Sequence, residues 1–274
     1  MPNSSNFFFE GIWALRNASQ SAIMIAKLNP SAGATWDSLT ERIGTMKPKA
    51  TVIICPGGAY SHLSPRESEP IAEAFEKMGC ETDILRYSVR DSTDQPPLGL
   101  EPVRQLSDRV AAARAAGRPV IVCGFSAGGH LAATLGVHWK TLGLCRPDGM
   151  ILCYPVITAD PQYCNAESIR NIAPEKDRDF YSLEKHVSPD TPPAFLWHTA
   201  SDDSVPVENT LVFATALSRC EVPFELHIYP FGAHGLSLAT AEVAEPEKGR
   251  IPDAHVAGWI VECDAWIDQL VKSL

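Results

Sequence analysis

The 274 residues, 45% apolar and 20% charged, form an ordinary soluble globular composition that suits one large α/β domain or at most two small ones. A net charge of −10 with no local basic cluster argues against non-specific nucleic-acid binding. No apolar run reaches membrane-spanning length, and Met1 to Asn6 lack the basic n-region of a secretory signal, so a cytoplasmic location is expected.

Strand-like and helix-like segments alternate along the chain. Ala22–Ala26 reads as an early strand, and Thr51–Cys55 as a buried one stopped by Pro56-Gly57-Gly58. Glu69–Met78 has the helical period and ends at Gly79. Thr82–Tyr87 reads as a strand, and Pro102–Ala116 as a helix closed by Gly117. Pro119–Cys123 is short, apolar and β-branched, and the segment from Gly129 onward is rich in helix formers. Met150–Tyr154 and Ala194–His198 are further strands, Val207–Leu217 a helix, Phe224–Tyr229 a strand near a sheet edge, and Val256–Leu270 a final amphipathic helix. This alternation predicts an α/β fold with a mostly parallel sheet covered on both faces. Residues 156–190 interrupt it with a polar stretch containing Glu175-Lys176-Asp177-Arg178-Asp179, expected to be a solvated insertion over the strand ends that acts as a lid or cap. No repeat or linker composition divides the chain, so residues 1–274 are expected to form a single domain. The eight cysteines include no C-x-x-C, and three end apolar strands. They read as reduced, buried thiols rather than a disulfide framework or metal site.

Between the Pro119–Cys123 strand and the following helix lies Gly124-Phe125-Ser126-Ala127-Gly128, which fits G-x-S-x-G. A serine on a sharp strand-to-helix turn is pushed out at the end of a sheet and the start of a helix, where an anionic intermediate is stabilised. Helix capping is the plainer role for such a serine. A serine hydroxyl is a poor nucleophile at neutral pH. It needs a base, and the base needs an orienting carboxylate. In the α/β-hydrolase pattern that this motif resembles, both follow the serine in the order acid, then histidine. His234, in Phe231-Gly232-Ala233-His234-Gly235, lies in a Gly-flanked loop after the Phe224–Tyr229 strand and is the candidate base. Asp202 and Asp203 both follow the Ala194–His198 strand and compete as the acid. No H-E-x-x-H or related spacing suggests zinc, and no metal or cofactor is expected. Oxyanion stabilisation needs backbone donors. Ala127, the residue after the nucleophile, supplies one, and the Pro56-Gly57-Gly58-Ala59 turn is placed to supply the others.

Three resemblances sharpen these readings. His198-Thr199-Ala200-Ser201-Asp202-Asp203-Ser204-Val205-Pro206 is similar to H-G-x-x-D-x-x-V-P of α/β-hydrolase esterases and dienelactone hydrolases, with Thr199 for the glycine. That pattern selects Asp202 and leaves Asp203 to bend the turn or cap the next helix. Cys55-Pro56-Gly57-Gly58-Ala59-Tyr60 resembles the H-G-G-G loop of lipases and esterases, with Pro56 for the histidine and Ala59 for the third glycine, which implies Gly58 and Ala59 as the donors. The run Cys55–Pro70, together with Leu85–Val89, Gly124–Ala132 and Thr191–Phe195, resembles bacterial acetylesterase and acetylxylan-esterase-like α/β hydrolases, relatives of the prolyl oligopeptidase catalytic domain. The resemblance implies an α/β-hydrolase fold, a cofactor-free Ser-His-Asp acyl-enzyme mechanism, and a small ester or acetylated oligosaccharide as substrate. An amidase or peptidase of the same fold, a non-catalytic ligand-binding scaffold and a glycoside hydrolase are the competing readings, and a homo-oligomer is left open. Tyr60, Tyr87, Tyr154 and Trp197, near the expected mouth of the site, are candidates to touch substrate, Tyr60 beside the oxyanion loop first among them, although an aromatic at a strand end more often packs in the core.

Overall fold

The computed structural model of the protein describes residues 47–274. The strand expected at 22–26 lies outside them. Among the described residues six strands form one parallel sheet: β1 (Thr51–Cys55), β2 (Glu81–Ile84), β3 (Val120–Phe125), β4 (Gly149–Cys153), β5 (Ala194–Thr199) and β6 (Phe224–Tyr229), in spatial order β2-β1-β3-β4-β5-β6. The helices between and after them are α1 (Glu69–Lys77), α2 (Glu101–Arg114), α3 (Ala127–Leu142), α4 (Ala166–Ile172), α5 (Glu208–Arg219) and α6 (Trp259–Ser273).

The central strands are apolar along their whole length because both faces are covered. Alternate residues enter opposite layers. Ile53, Val122, Leu152 and Leu196 pack with α2, α3 and α5. Ile54, Cys123, Cys153 and Trp197 pack with α1 and α6. The edge strands β2 and β6 are less buried, as the alternation in β6 foretells. The second strand stops at Ile84 rather than Tyr87. Beyond Ile84 the chain turns inward, and the Tyr87 hydroxyl donates to the carbonyl of Pro56 in the loop after β1. All eight cysteines are free thiols. Among the described residues no helix is long and apolar enough to cross a membrane.

Strand order positions the site. The sequence of strands reverses direction between β1 and β3, so the loops leaving their carboxyl ends diverge and open a crevice. The Pro56–Tyr60 loop follows β1 and Ser126 follows β3, in register with Cys55 opposite Gly124. The loops after β5 and β6 carry Asp202 and His234 to the same end of the sheet.

Candidate active site

Ser126 stands between β3 and α3 at φ 53°, ψ −117°, a conformation that L-residues rarely adopt. The turn is fixed on both sides of the serine. Its N–H donates to the Cys153 carbonyl at 3.0 Å, and its carbonyl accepts from the N–H groups of His130 and Val156, each at 3.1 Å. Helix α3 then passes so close to β1 that a Cβ on Gly128 would strike the Cys55 carbonyl. The Ala127 N–H, at the first turn of α3, is one of the donors a helix leaves without an intrahelical partner.

Three side chains from three loops meet here. Ser126 Oγ lies 2.8 Å from His234 Nε2, and His234 Nδ1 lies 2.7 Å from Asp202 Oδ2. An ionised carboxylate only accepts, so Nδ1 carries the proton and, in the neutral ring, Nε2 is left to accept from the serine. Asp202 is buried at 9% exposure, whereas Asp203 stands in solvent. Both Asp202 oxygens are used: Oδ1 accepts from the N–H groups of Ser204 (2.9 Å) and Val205 (2.8 Å). Burial pushes the Asp202 carboxyl up, but hydrogen bonds from His198, His234 and Val205 outweigh it and hold the group far below the usual carboxylate range.

His198 is a participant that its place in the middle of a strand conceals. It is fully buried on β5, with Nε2 3.2 Å from Asp202 Oδ2, 2.9 Å from the Val205 carbonyl and Nδ1 2.7 Å from Thr210 Oγ1. The Nε2–H thus reaches the same oxygen that His234 uses. The similarity of 198–206 to the H-G-x-x-D-x-x-V-P pattern is the signal that could have found it.

Across from Ser126, Gly58, Ala59 and Tyr60 occur in succession at φ 125°, 52° and 59°. The carbonyl of Gly57 accepts from Ser64 N–H, and that of Gly58 from the N–H groups of Ser61 and His62. Each peptide is trans, so the N–H groups of Gly58 and Ala59 point to the side opposite those carbonyls. Neither donates to another backbone carbonyl among the described residues. A Cβ on Gly58 would strike His62, so Gly58 combines a positive φ with a close approach.

The expectation that Tyr60, Tyr154 and Trp197 touch substrate is corrected by their packing. All three are buried to 2% exposure or less. The Tyr60 hydroxyl is 2.9 Å from His130 Nδ1, Trp197 stacks on Trp259, and Tyr154 sets its ring edge-on to His234 with centroids 5.2 Å apart. Burial raises the phenols of Tyr60 and Tyr154 well above their ordinary value, so both stay neutral donors. They brace the loops. An aromatic at a strand end looks the same in sequence whether it faces the mouth or the core.

Residues 156–190 are more deeply embedded than their polarity suggests. Ile157, Ile169, Ile172, Tyr181 and Leu183 enter the main core, and the exposed stretches are short: 160–162, 166–167, most of the 175–179 charge run, and 189–190. The segment grips the site at two points. Asn171 Nδ2 donates to the Ala59 carbonyl at 2.8 Å. His130 and His138 on α3 face the carbonyls of Tyr181 (3.2 Å) and Phe180 (3.0 Å) through Nε2. Burial lowers both histidines to about 4, keeping them neutral. Among the described residues no three His, Cys, Asp or Glu side chains gather as a metal site requires.

Comparison with known proteins adds context. Residues 98–238 match the model of a family described as having the alpha/beta hydrolase fold. The chain is 36% identical over 211 residues to an endo-1,4-beta-xylanase B of Butyrivibrio fibrisolvens, covering 70% of this chain and 33% of that protein. It is 30% identical over 200 residues to an acetylxylan esterase of Xylanibacter ruminicola, covering 69% of this chain and 41% of that one. The chain therefore spans a third to two fifths of the length of these two relatives. Among solved structures it superposes with a TM-score of 0.70 on an acetyl ester-xyloside bifunctional hydrolase from Caldicellulosiruptor lactoaceticus, at 32% identity, covering 82% of this chain and 85% of that one.

Proposed function

The chain belongs to the alpha/beta hydrolase fold family, and from that premise we propose that it is a serine carboxylesterase that removes short acyl groups, acetyl above all, from sugars or xylo-oligosaccharides. One observation carries the reading: the continuous hydrogen-bonded chain Ser126 Oγ, His234, Asp202, with the serine held at positive φ opposite outward-facing N–H groups.

In this mechanism His234 Nε2 takes the Ser126 proton as Oγ attacks the ester carbonyl. The N–H groups of Ala127, Gly58 and Ala59 receive the developing oxyanion. Asp202 fixes the imidazole tautomer and stabilises its charged form, and the proton passes to the leaving alcohol. Water, deprotonated by His234, then releases the acid and restores Ser126. The nearby carboxylates support ester chemistry over glycoside cleavage. Glycoside hydrolysis employs two carboxyl groups flanking a sugar bond, whereas Asp202 and Glu67 are both buried with both oxygens occupied. The names of the relatives favour an acetylated carbohydrate as the ester. Residues 156–190 act as the cap, joined to the oxyanion loop through Asn171.

The wild-type protein is expected to hydrolyse 4-nitrophenyl acetate and to release acetate from acetylated xylo-oligosaccharides. Ser126→Ala lowers kcat by about 10⁵-fold or more. A Ser126→Ala protein with wild-type turnover contradicts the assignment, and a wild type that cleaves the small ester but no acetylated sugar contradicts the substrate class.

A further inference from the structure

Glu67 is a buried carboxylate that the mechanism above does not use. It ends a short 3₁₀ turn, Pro65–Glu67, just before α1, and is 3% exposed. Its neighbour Arg66 pairs with Glu245, N···O 3.3 Å, rather than with it. Burying a carboxylate without a cation is costly unless hydrogen bonds replace the lost water. Two do. Oε2 accepts from the Gly57 N–H at 2.8 Å, and Oε1 accepts from the Tyr154 hydroxyl at 2.6 Å. The Tyr154 oxygen in turn accepts from the Ser237 N–H at 3.0 Å.

These three partners lie on three different loops. Gly57 begins the loop that turns the Gly58 and Ala59 N–H groups outward. Tyr154, at φ 37°, follows β4, and its ring packs against His234. Ser237 lies three residues after His234 and stands at φ 57°. The same 3₁₀ turn grips the histidine loop through its backbone and its arginine. Ser237 Oγ donates to the Arg66 carbonyl at 2.6 Å, and Arg66 donates to the Gly235 carbonyl at 2.8 Å. Glu67 also lies close to the nucleophile. A Cβ built on Gly57 would sit 2.7 Å from Glu67 Oε2 and 3.1 Å from the Ser126 Cβ.

We propose that Glu67 is a positioning residue that sets the oxyanion loop and the His234 loop in register with each other, holding the first through Gly57 N–H and the second through Tyr154 and Ser237. This rests on the serine-esterase reading. A carboxylate suits the position because it accepts at both ends. Glutamine has one accepting oxygen and one donating NH₂, so Glu67→Gln sets a donor against either Gly57 N–H or the Tyr154 hydroxyl. The peptide that follows Gly57 carries the first outward N–H, so a small rotation there moves a donor away from the charge that develops in the transition state.

The test measures kcat and KM on 4-nitrophenyl acetate, affinity for a boronic acid that forms a tetrahedral serine adduct, and the count of live sites by active-site titration. Wild type and Ser126→Ala are assayed first. If the first is inactive or the second active, the esterase reading itself fails, whatever Glu67 does. Glu67→Gln is expected to lower kcat per titrated site about 10- to 100-fold, with KM within about twofold, and to weaken boronate binding by a similar factor. Tyr154→Phe keeps the ring and removes one link, and is expected to lower kcat roughly three- to tenfold. If titrated sites become fewer but each turns over at the wild-type rate, Glu67 only supports folding and the proposal is overturned. If Glu67→Gln does not fold, Tyr154→Phe decides alone: wild-type kcat and boronate affinity overturn the proposal.

Discussion

The turn at Ser126 and the loop at Gly57–Tyr60 face each other at the ends of β3 and β1, and both hold non-glycine residues at positive φ. They are stabilised by different means. The serine turn is fixed by backbone: hydrogen bonds to Cys153, His130 and Val156, and an α3 glycine packed onto the Cys55 carbonyl. The oxyanion loop is fixed mainly by side chains from elsewhere in the chain. Glu67 takes Gly57 N–H, Tyr87 reaches the Pro56 carbonyl, Asn171 reaches the Ala59 carbonyl, and His130 takes the Tyr60 hydroxyl. A strained turn can therefore be held by backbone packing or by side chains that reach into it, and the two kinds should fail differently when changed.

The largest effect is expected at the turn held by backbone packing. Gly128→Ala forces a methyl group into the Cys55 carbonyl of a close-packed strand–helix contact. It is expected to cost more than about 3 kcal/mol in urea unfolding and to abolish activity with it. A loss below about 1 kcal/mol would show that β1 and α3 can move apart and that backbone packing does not fix the turn. The oxyanion loop should respond more mildly and without unfolding. Asn171→Ala releases only the Ala59 carbonyl and the contact with Arg90. A fall in kcat of about tenfold is expected, with an almost unchanged melting temperature. Equal losses of stability and of activity would erase the distinction between the two regions.

At neutral pH the smallest effect concerns the attachment of 156–190 to α3, because it develops only in acid. In the folded protein burial lowers His130 and His138 from 6.5 to about 4. The unfolded chain binds these protons near 6.5 and the folded one does not, so stability is complete above 6.5 and falls as the pH drops toward 4. Each histidine contributes a slope of about 1.4 kcal/mol per pH unit across that window, levelling off below it. His138→Gln should remove about half of this slope in denaturation midpoints taken between pH 7 and 4. An unchanged slope would mean that His138 is not the buried neutral group described.

How much of this was legible in the sequence follows the same division. Strands β1 and β6 fall on the expected residues, and the other described strands within a few, because an apolar β-branched run between turn residues leaves little choice. The Ser126 turn, and its approach to Asp202 and His234, could be anticipated because local motifs and chain order specify them. Asp202 separates from Asp203 through its neighbours, since the N–H groups of Ser204 and Val205 turn toward Asp202 Oδ1. The sequence alone gives no role to Glu67, Asn171 or His198. Tyr154, which bonds Glu67, and Ala59, which bonds Asn171, are remote from them in sequence, and neither spacing nor periodicity encodes these contacts. His198 is only four residues from Asp202, but a histidine inside a buried strand looks like a packing residue. β2 ends before Tyr87, which is a good strand former, because its hydroxyl has a better partner in the Pro56 carbonyl.

The central claim is that Ser126 is the acyl-accepting nucleophile. It is tested most directly by treating the folded protein with a fluorophosphonate, in which a serine Oγ–P bond forms as fluoride leaves, and mapping the adduct by mass spectrometry. The account predicts one adduct per chain, on the peptide containing Ser126, and none in Ser126→Ala. An adduct on another residue, or equal labelling of Ser126→Ala, would contradict it.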